Sequence, residues 1–237
     1  MTSQLIKSPN LSGSANMQTD LKLFYDFENG LIPSTLRIYS WKPKCISLGY
    51  SQEINELIDE AKAKDLGWDV VKRPTGGGIV FHNEAEVTYS LVTAIDNPRL
   101  PKGLASSYKR ISEAVIVGLN KIGIMAQIRN PKSEIRNKSE IQNTKSQLCF
   151  SYPTEYEIVV GGKKIVGSAQ KRGRKALLQQ GTIFVRQTPQ EAFSVLKRPH
   201  QKLDAVSVEE VVGREIGFEE LSEALVKGFE EVFDIAF

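Results

Sequence analysis

The sequence predicts an α+β fold, a mixed or antiparallel sheet with packed helices, and three observations carry that expectation. Strand-like segments both precede and follow two long amphipathic stretches. No regular βαβ alternation runs through the chain, which argues against a parallel sheet wound on both faces. A length of 237 residues suits one large domain or two small ones. The expected arrangement is a sheet with its helices on one side.

Residues 1–15 read as a flexible N-terminal tail, and a single domain is expected over 16–237. A first helix is predicted from about Met17 to Asn29, with Met17, Leu21 and Phe24 on one face and Gly30 ending it. Leu36 with Ile38, and Cys45 to Leu48, read as two short strands around Pro43. Ser51 starts a second helix bearing Ile54, Leu57, Ile58 and Ala61, and Gly67 closes it. Trp68 to Lys72 is a strand, and Ile79 to His82 another, with three glycines between them. From Glu86 to Thr93, Val87, Tyr89 and Leu91 alternate with Thr88 and Ser90, the pattern of a half-buried strand.

A long helix is predicted over Ser106 to Lys121 from the spacing of Tyr108, Ile111, Val115, Leu119 and Ile122. Glu155 to Val160, the turn Gly161-Gly162 and Lys163 to Ser168 form the clearest hairpin. Leu177 to Val185 is a further strand, and Phe218 to Phe233 a last amphipathic helix burying Leu221, Leu225, Phe229 and Phe233. Between helix and hairpin, Arg129-Asn130-Pro131-Lys132-Ser133-Glu134-Ile135 is echoed by Arg136-Asn137-Lys138-Ser139-Glu140-Ile141 and again by Gln142 to Ser146. That is too few repeats to stack, so about 129–147 is expected to be a mobile, polar insert.

Composition excludes several classes. A formal net charge of +3 is too slight to argue for nucleic acid. The basic run Lys171 to Lys175 is either a solvated turn or a contact for an acidic partner. No stretch approaches the ~20 apolar residues that span a bilayer, and Met1 to Asn16 lacks the apolar core of a signal peptide. Two cysteines and two histidines make neither a disulfide framework nor a zinc constellation, so no metal is expected. A cytoplasmic enzyme with free thiols follows.

Three segments carry candidate chemistry. In Arg73-Pro74-Thr75-Gly76-Gly77-Gly78, followed by Val80 and His82, the glycines let backbone N–H groups approach a phosphate or carbonyl; a plain structural turn is the alternative. No Gly-Lys-Ser/Thr follows, so this is not a P-loop. In Gly162-Lys163-Lys164-Ile165-Val166-Gly167-Ser168-Ala169-Gln170, Lys164 shares a strand face with apolar Val166. Desolvation there would lower its pKa and suit it to polarise a carbonyl or take a proton; an edge lysine with its head in water is the alternative. In Leu148-Cys149-Phe150-Ser151-Tyr152-Pro153-Thr154-Glu155-Tyr156-Glu157, Cys149 is either a loop nucleophile near a cation or a small core filler. Cys45, inside an apolar strand, fits the filler better.

Taken in order and spacing, these motifs resemble the lipoate and octanoate branch of the biotin/lipoate protein ligase superfamily. Glu86 to Ser90, Gln180 to Ile183, and the front end (Asn16-Met17 with Asp20, Arg37 to Trp41, Ser47 to Gln52) extend the resemblance over nearly the whole chain. It implies that superfamily's catalytic-domain fold. Two activities occur there: ligases that activate free lipoate with ATP, and octanoyltransferases that take octanoate from an acyl carrier protein. Cys149 falls on the nucleophile of the transferases and Lys164 on a lysine that both share. Thr154 stands where serine is commoner, and Asn83 where an aspartate usually follows the histidine.

The resemblance therefore implies octanoyl transfer from octanoyl-acyl carrier protein, through a Cys149 thioester, to a lysine of a lipoyl-domain protein, in lipoate biosynthesis. The glycine-cleavage H protein and the 2-oxoacid dehydrogenase E2 domains are the candidate acceptors. Arg73, Thr75, Gly76, Gly77, Gly78, His82, Gly167, Ser168 and Ala169 are the expected substrate-binding set. Ile165, Val166 and Leu91 would wall a slot for the acyl tail. No cofactor is required on this route, and a monomer suffices. The alternatives are an ATP- and Mg-dependent lipoate ligase, which often needs a further small domain that does not fit after Phe237, and an amidotransferase between lipoyl-domain proteins, whose cysteine lies nearer the strand.

Overall fold

The computed structural model describes residues 3–129, 148–149, 156–198 and 203–237. Its frame is a seven-stranded mixed sheet in the order β1-β2-β6-β10-β9-β8-β7. These strands are β1 (Ser3–Leu11), β2 (Ser34–Trp41), β6 (Val87–Ala94), β7 (Gln127–Ile128), β8 (Ile158–Val160), β9 (Lys163–Arg172) and β10 (Ala176–Ile183). β1 runs parallel to β2 and the other neighbours pair antiparallel. A second, three-stranded sheet holds β4 (Asp69–Lys72), β3 (Cys45–Leu48) and β5 (Val80–His82) in that order.

Strict side-chain alternation decides what covers each face of the large sheet. Leu36 and Ile38 of β2, Tyr89 and Leu91 of β6, and Leu177 and Ile183 of β10 face one way. There they join the stripes of α4 (Leu104–Lys121) and α6 (Phe218–Phe233) in the main core. The intervening residues face the other way: Tyr39 and Trp41 meet Met17, and Val92 and Leu178 meet Phe24. Met17 and Phe24 belong to α1 (Gly13–Glu28). Helices therefore cover both faces, not one as the sequence suggested. The first helix is the element responsible, because its polar residues as well as its apolar ones are buried.

Three more differences have local causes. Residues 3–11 are not a tail but the edge strand β1, and Ser12 caps α1 by accepting from the Ala15 N–H. The second predicted helix is two short ones, α2 (Ile54–Leu57) and α3 (Glu60–Asp65), because Ile58 turns extended to bridge Leu196. Asp59 then caps α3. A 3₁₀ helix (Gln190–Val195) and α5 (Val208–Val212) complete the chain. The insert expected at about 129–147 lies, except for Arg129, outside the described residues. Among the described residues no helix is long and apolar enough to cross a membrane.

Candidate active site

The turn between β4 and β5 is built around its own arginine. Arg73 donates from Nε and Nη2 to the Gly76 carbonyl (3.2 and 2.8 Å), and from Nη2 to the Gly78 carbonyl at 2.6 Å. Its Nη1 reaches the Ser47 carbonyl (2.9 Å) and Oγ (3.1 Å). Gly77 sits at φ +93°, and a Cβ there would meet Arg73 Nη2 at 2.9 Å. A Cβ on Gly49 would lie 2.1 Å from the Gly77 carbonyl, so the Ser47 to Tyr50 segment needs glycine to pass beneath the turn. Burial lowers the Arg73 pKa from its usual value.

The same guanidinium organises His82. Ser47 Oγ, which accepts from Arg73, also forms a 2.7 Å hydrogen bond with His82 Nε2. The imidazole stacks on Trp41 with ring centroids 4.0 Å apart. Desolvation, and then the Arg73 charge, hold its pKa well below the ordinary histidine value. His82 is a neutral ring.

On the opposite wall, β9 and β10 present Gly167, Ser168, Ala169, Gln180, Gly181 and Thr182. Thr75 donates to Gln180 Oε1 at 2.7 Å, joining the glycine turn to this wall. Gln180 passes the connection on, donating to Asp20 Oδ2 at 2.6 Å. Asp20 also accepts from Tyr39 OH (2.9 Å), Arg37 Nη1 (2.8 Å) and Ser90 Oγ (2.8 Å). Every partner in this network is fully or nearly fully buried, so a charged group of α1 is anchored at four points beneath the site.

Cys149 is held by the turn itself. Its N–H donates to the Ile79 carbonyl at 2.9 Å, and Leu148 bridges Ile79 in parallel. The half-buried Cys149 packs against the cluster of Val80 and Phe184. Lys164, wholly buried on β9, donates to the Cys149 carbonyl at 2.7 Å and stands 3.5 Å from Cys149 Sγ. Its ammonium also forms a short ion pair with the Glu157 carboxylate. Desolvation pulls the Lys164 pKa down, but the Cys149 and Glu157 charges outweigh it and the net direction is up. This reverses the direction expected from the strand pattern, which had burial lowering the Lys164 pKa.

One cleft thus gathers Arg73, Thr75, Gly76, Gly77, His82, Cys149, Gly167, Ser168 and Ala169. Gly78 shapes it through the carbonyl that Arg73 holds, and Lys164 reaches the thiol from β9. Leu91, Ile165 and Val166 belong instead to the main core under α4 and α6. Glu157, Gln180 and Ser47 escaped the sequence reading as site residues. Each lay in a segment that carries the resemblance: Glu157 ends the cysteine motif, Gln180 opens Gln180 to Ile183 and Ser47 opens Ser47 to Gln52, but only pairing strands separated in sequence brought them to the cleft.

Comparison with known proteins places this geometry. Residues 12–230 match the family model described as the lipoyl protein ligase A/B catalytic domain. The octanoyltransferase LipM of Anoxybacillus flavithermus is 34% identical over 98% of this chain and 86% of its own length. That of Kyrpidia tusciae is 36% identical over 97% and 86%, and that of Bacillus subtilis 32% over 99% and 87%. Among solved structures, a lipoate-protein ligase A bound with ATP superimposes with a TM-score of 0.73 at 24% identity, covering 100% of this chain and 87% of that one. The bipartite lipoate protein ligase of Thermoplasma acidophilum gives 0.69 at 22%, over 99% and 84%. The fold is that of the ligases, while the sequence stands with the transferases. The chain belongs to the lipoyl protein ligase A/B catalytic-domain family, in its octanoyltransferase group.

Proposed function

We propose that this protein moves an octanoyl group from octanoyl-acyl carrier protein to a lysine of a lipoyl-domain protein, through a thioester on Cys149. The observation that carries the reading is the Lys164 ammonium 3.5 Å from Cys149 Sγ, at the mouth of the glycine turn. The ammonium stands beside the sulfur that would react, and the thiolate is a cysteine's nucleophilic form. Cys149 gives its proton to water, its thiolate attacks the donor carbonyl, the donor's C–S bond breaks, and the departing carrier thiolate takes a proton from water. The acceptor lysine, arriving as a free amine, then attacks the Cys149 thioester; an amide forms, the C–S bond breaks, and the proton lost by the amine returns to the Cys149 sulfur. Both steps pass through a tetrahedral oxyanion, which the Lys164 ammonium and the N–H groups of the glycine turn stabilise. Because the donor is already an activated thioester, neither nucleotide nor metal enters. The acceptors are the lysines of the glycine-cleavage H protein or of 2-oxoacid dehydrogenase E2 domains, the product feeds lipoate biosynthesis, and one chain supplies every group.

The test pairs donors. Octanoyl-acyl carrier protein without ATP is expected to octanoylate a lipoyl domain, and Cys149→Ala to abolish both transfer and the hydroxylamine-labile adduct on the enzyme. Transfer that demands free octanoate with ATP and survives Cys149→Ala would make the protein a ligase instead.

A further inference from the structure

The basic run Lys171 to Lys175 joins β9 to β10, and its main chain is pinned to α1. Gly173 N–H donates to the Ala176 carbonyl at 2.8 Å and closes the turn. The Glu28 carboxylate, at the end of α1, accepts from the main-chain N–H groups of Arg174 (2.6 Å), Lys175 (3.1 Å) and Ala176 (2.6 Å). A Cβ on Gly173 would lie 2.8 Å from that carboxylate and 2.9 Å from the Phe24 ring, so glycine lets the turn close on the helix. Glu28 thus directs its hydrogen bonds to the backbone, and the Arg174 and Lys175 side chains stay exposed. Lys171 lies over the Phe24 ring, 5.5 Å from its centroid. Tyr25, 51% exposed, packs edge-on against the same ring with centroids 5.4 Å apart. Lys171, Arg172, Arg174, Lys175 and Tyr25 therefore make one preorganised patch, with the arginine and aromatic content of a protein interface.

We propose that this patch is where the donor docks: an acidic face of the acyl carrier protein sits on the Lys171 to Lys175 turn while its acyl-bearing arm reaches the cleft. The proposal rests on the transfer reading above and adds the surface that recognises the donor. Reach separates donor from acceptor. Ser168 lines the cleft and Gly173 follows five residues later, so at about 3.3 Å per residue the turn is roughly 17 Å away. The acceptor's reacting nitrogen sits on a four-carbon stem, too short for that gap, so the acceptor body must come to the cleft itself. A carrier protein holds its acyl group at the end of a long flexible arm, and its body can rest at that distance. A path exists between the two: a groove of about 480 Å³ between α1 and β4 is lined by Lys171, Leu21, Val71, Pro74 and Arg73. Arg73 also lines the cleft, so groove and cleft adjoin. The nearest exposed carboxylates already have partners, Asp26 in Lys22 and Glu53 in Lys72, which leaves the basic turn its positive field. A fixed basic patch steers an acidic partner, and salt screens that attraction.

The experiment compares two donors. Octanoyl-acyl carrier protein carries the docking face; the octanoyl thioester of N-acetylcysteamine has the reacting bond and no protein. Wild type, the charge-reversed Arg174→Glu/Lys175→Glu and the neutral Arg174→Gln/Lys175→Gln are assayed with a lipoyl-domain acceptor and no ATP, across a salt series. Charge reversal is expected to raise the KM for the carrier protein at least about tenfold at low salt, with kcat nearly unchanged. The neutral pair falls between, and the wild-type KM climbs with salt while that of the reversed variant does not. Kinetics with the small thioester, and the KM for the acceptor, stay at wild-type values in both variants. A carrier KM that ignores both substitutions overturns the docking surface and leaves the transfer reading standing. A rise in the acceptor KM, or an equal loss with both donors, overturns it as well, by giving the turn to the acceptor or to the fold. If wild type takes no octanoyl group from the carrier protein without ATP, the transfer reading falls and takes the inference with it.

Discussion

At the scale of single residues, the site depends on charges taken out of water. Lys164 and Glu157 form an ion pair in the interior, and breaking such a buried pair from one side is costly. Lys164→Met is therefore expected to cost about 3–5 kcal/mol in urea denaturation, well beyond the loss of a surface ion pair. Adding Glu157→Gln should recover most of that stability while leaving the enzyme inactive, which separates folding from chemistry. Position in the motif marked Lys164, but its sign of pKa shift was not legible. Strand alternation shows burial; it does not show Glu157 seven residues upstream folding back across β8.

His82 gives a second prediction at this scale. Its folded pKa lies well below the ordinary value of 6.5, so over that interval the unfolded chain binds the extra proton. Stability contributed by neutral His82 is therefore present above pH 6.5 and lost as pH falls. Glu86, fully buried with its pKa raised by desolvation, works in the opposite direction, favouring the fold at lower pH. Comparing wild type with His82→Phe cancels Glu86 and the other histidine, His200. The difference between their unfolding free energies should change by up to about 1.4 kcal/mol per pH unit below 6.5 and flatten above it. A pH-independent difference would show that His82 titrates in the fold as it does in the unfolded chain.

At the scale of elements, the pairing of α4 with α6 holds the main core together. A Cβ on Gly228 would lie 2.2 Å from the Ala114 carbonyl and 2.5 Å from the Gly118 nitrogen. The backbones touch, and no side chain can be inserted without parting the helices. Gly228→Ala should lower stability by about 1–3 kcal/mol despite alanine's better helix propensity, as thermal unfolding would register. Both helices were legible, because their apolar stripes repeat at helical spacing, and the α6 boundaries came out as read. The split between α2 and α3 was not. Ile54, Leu57, Ile58 and Ala61 fit one helix by period, and only the bridge from Ile58 to Leu196 breaks it.

At the scale of the whole molecule, the edge of the large sheet departs furthest from expectation. β1 aligns seven residues against β2, Leu5 packs on the main core, and Ser8 accepts from buried Arg37 at 2.9 Å. Deleting residues 1–11 should therefore destabilise the protein by about 3 kcal/mol or more, at roughly 1 kcal/mol for each ladder bond lost. A truncated chain with an unchanged denaturation midpoint would return this segment to the status of a tail.

What the sequence determined by itself were the features written in local pattern: the α+β class, the amphipathic helices, the alternating strands, and the ordered motifs that announce the family. Those depend on neighbours a few residues away, which is where periodicity and turn chemistry act. Tertiary structure decided what depends on partners far along the chain. It made a polar segment into β1, buried Asp20 beneath Gln180 and Thr75, and put helices on both sheet faces. It also turned the Lys164 pKa upward, because the shift of a buried amine is set by which charges surround it, and sequence spacing does not reveal that.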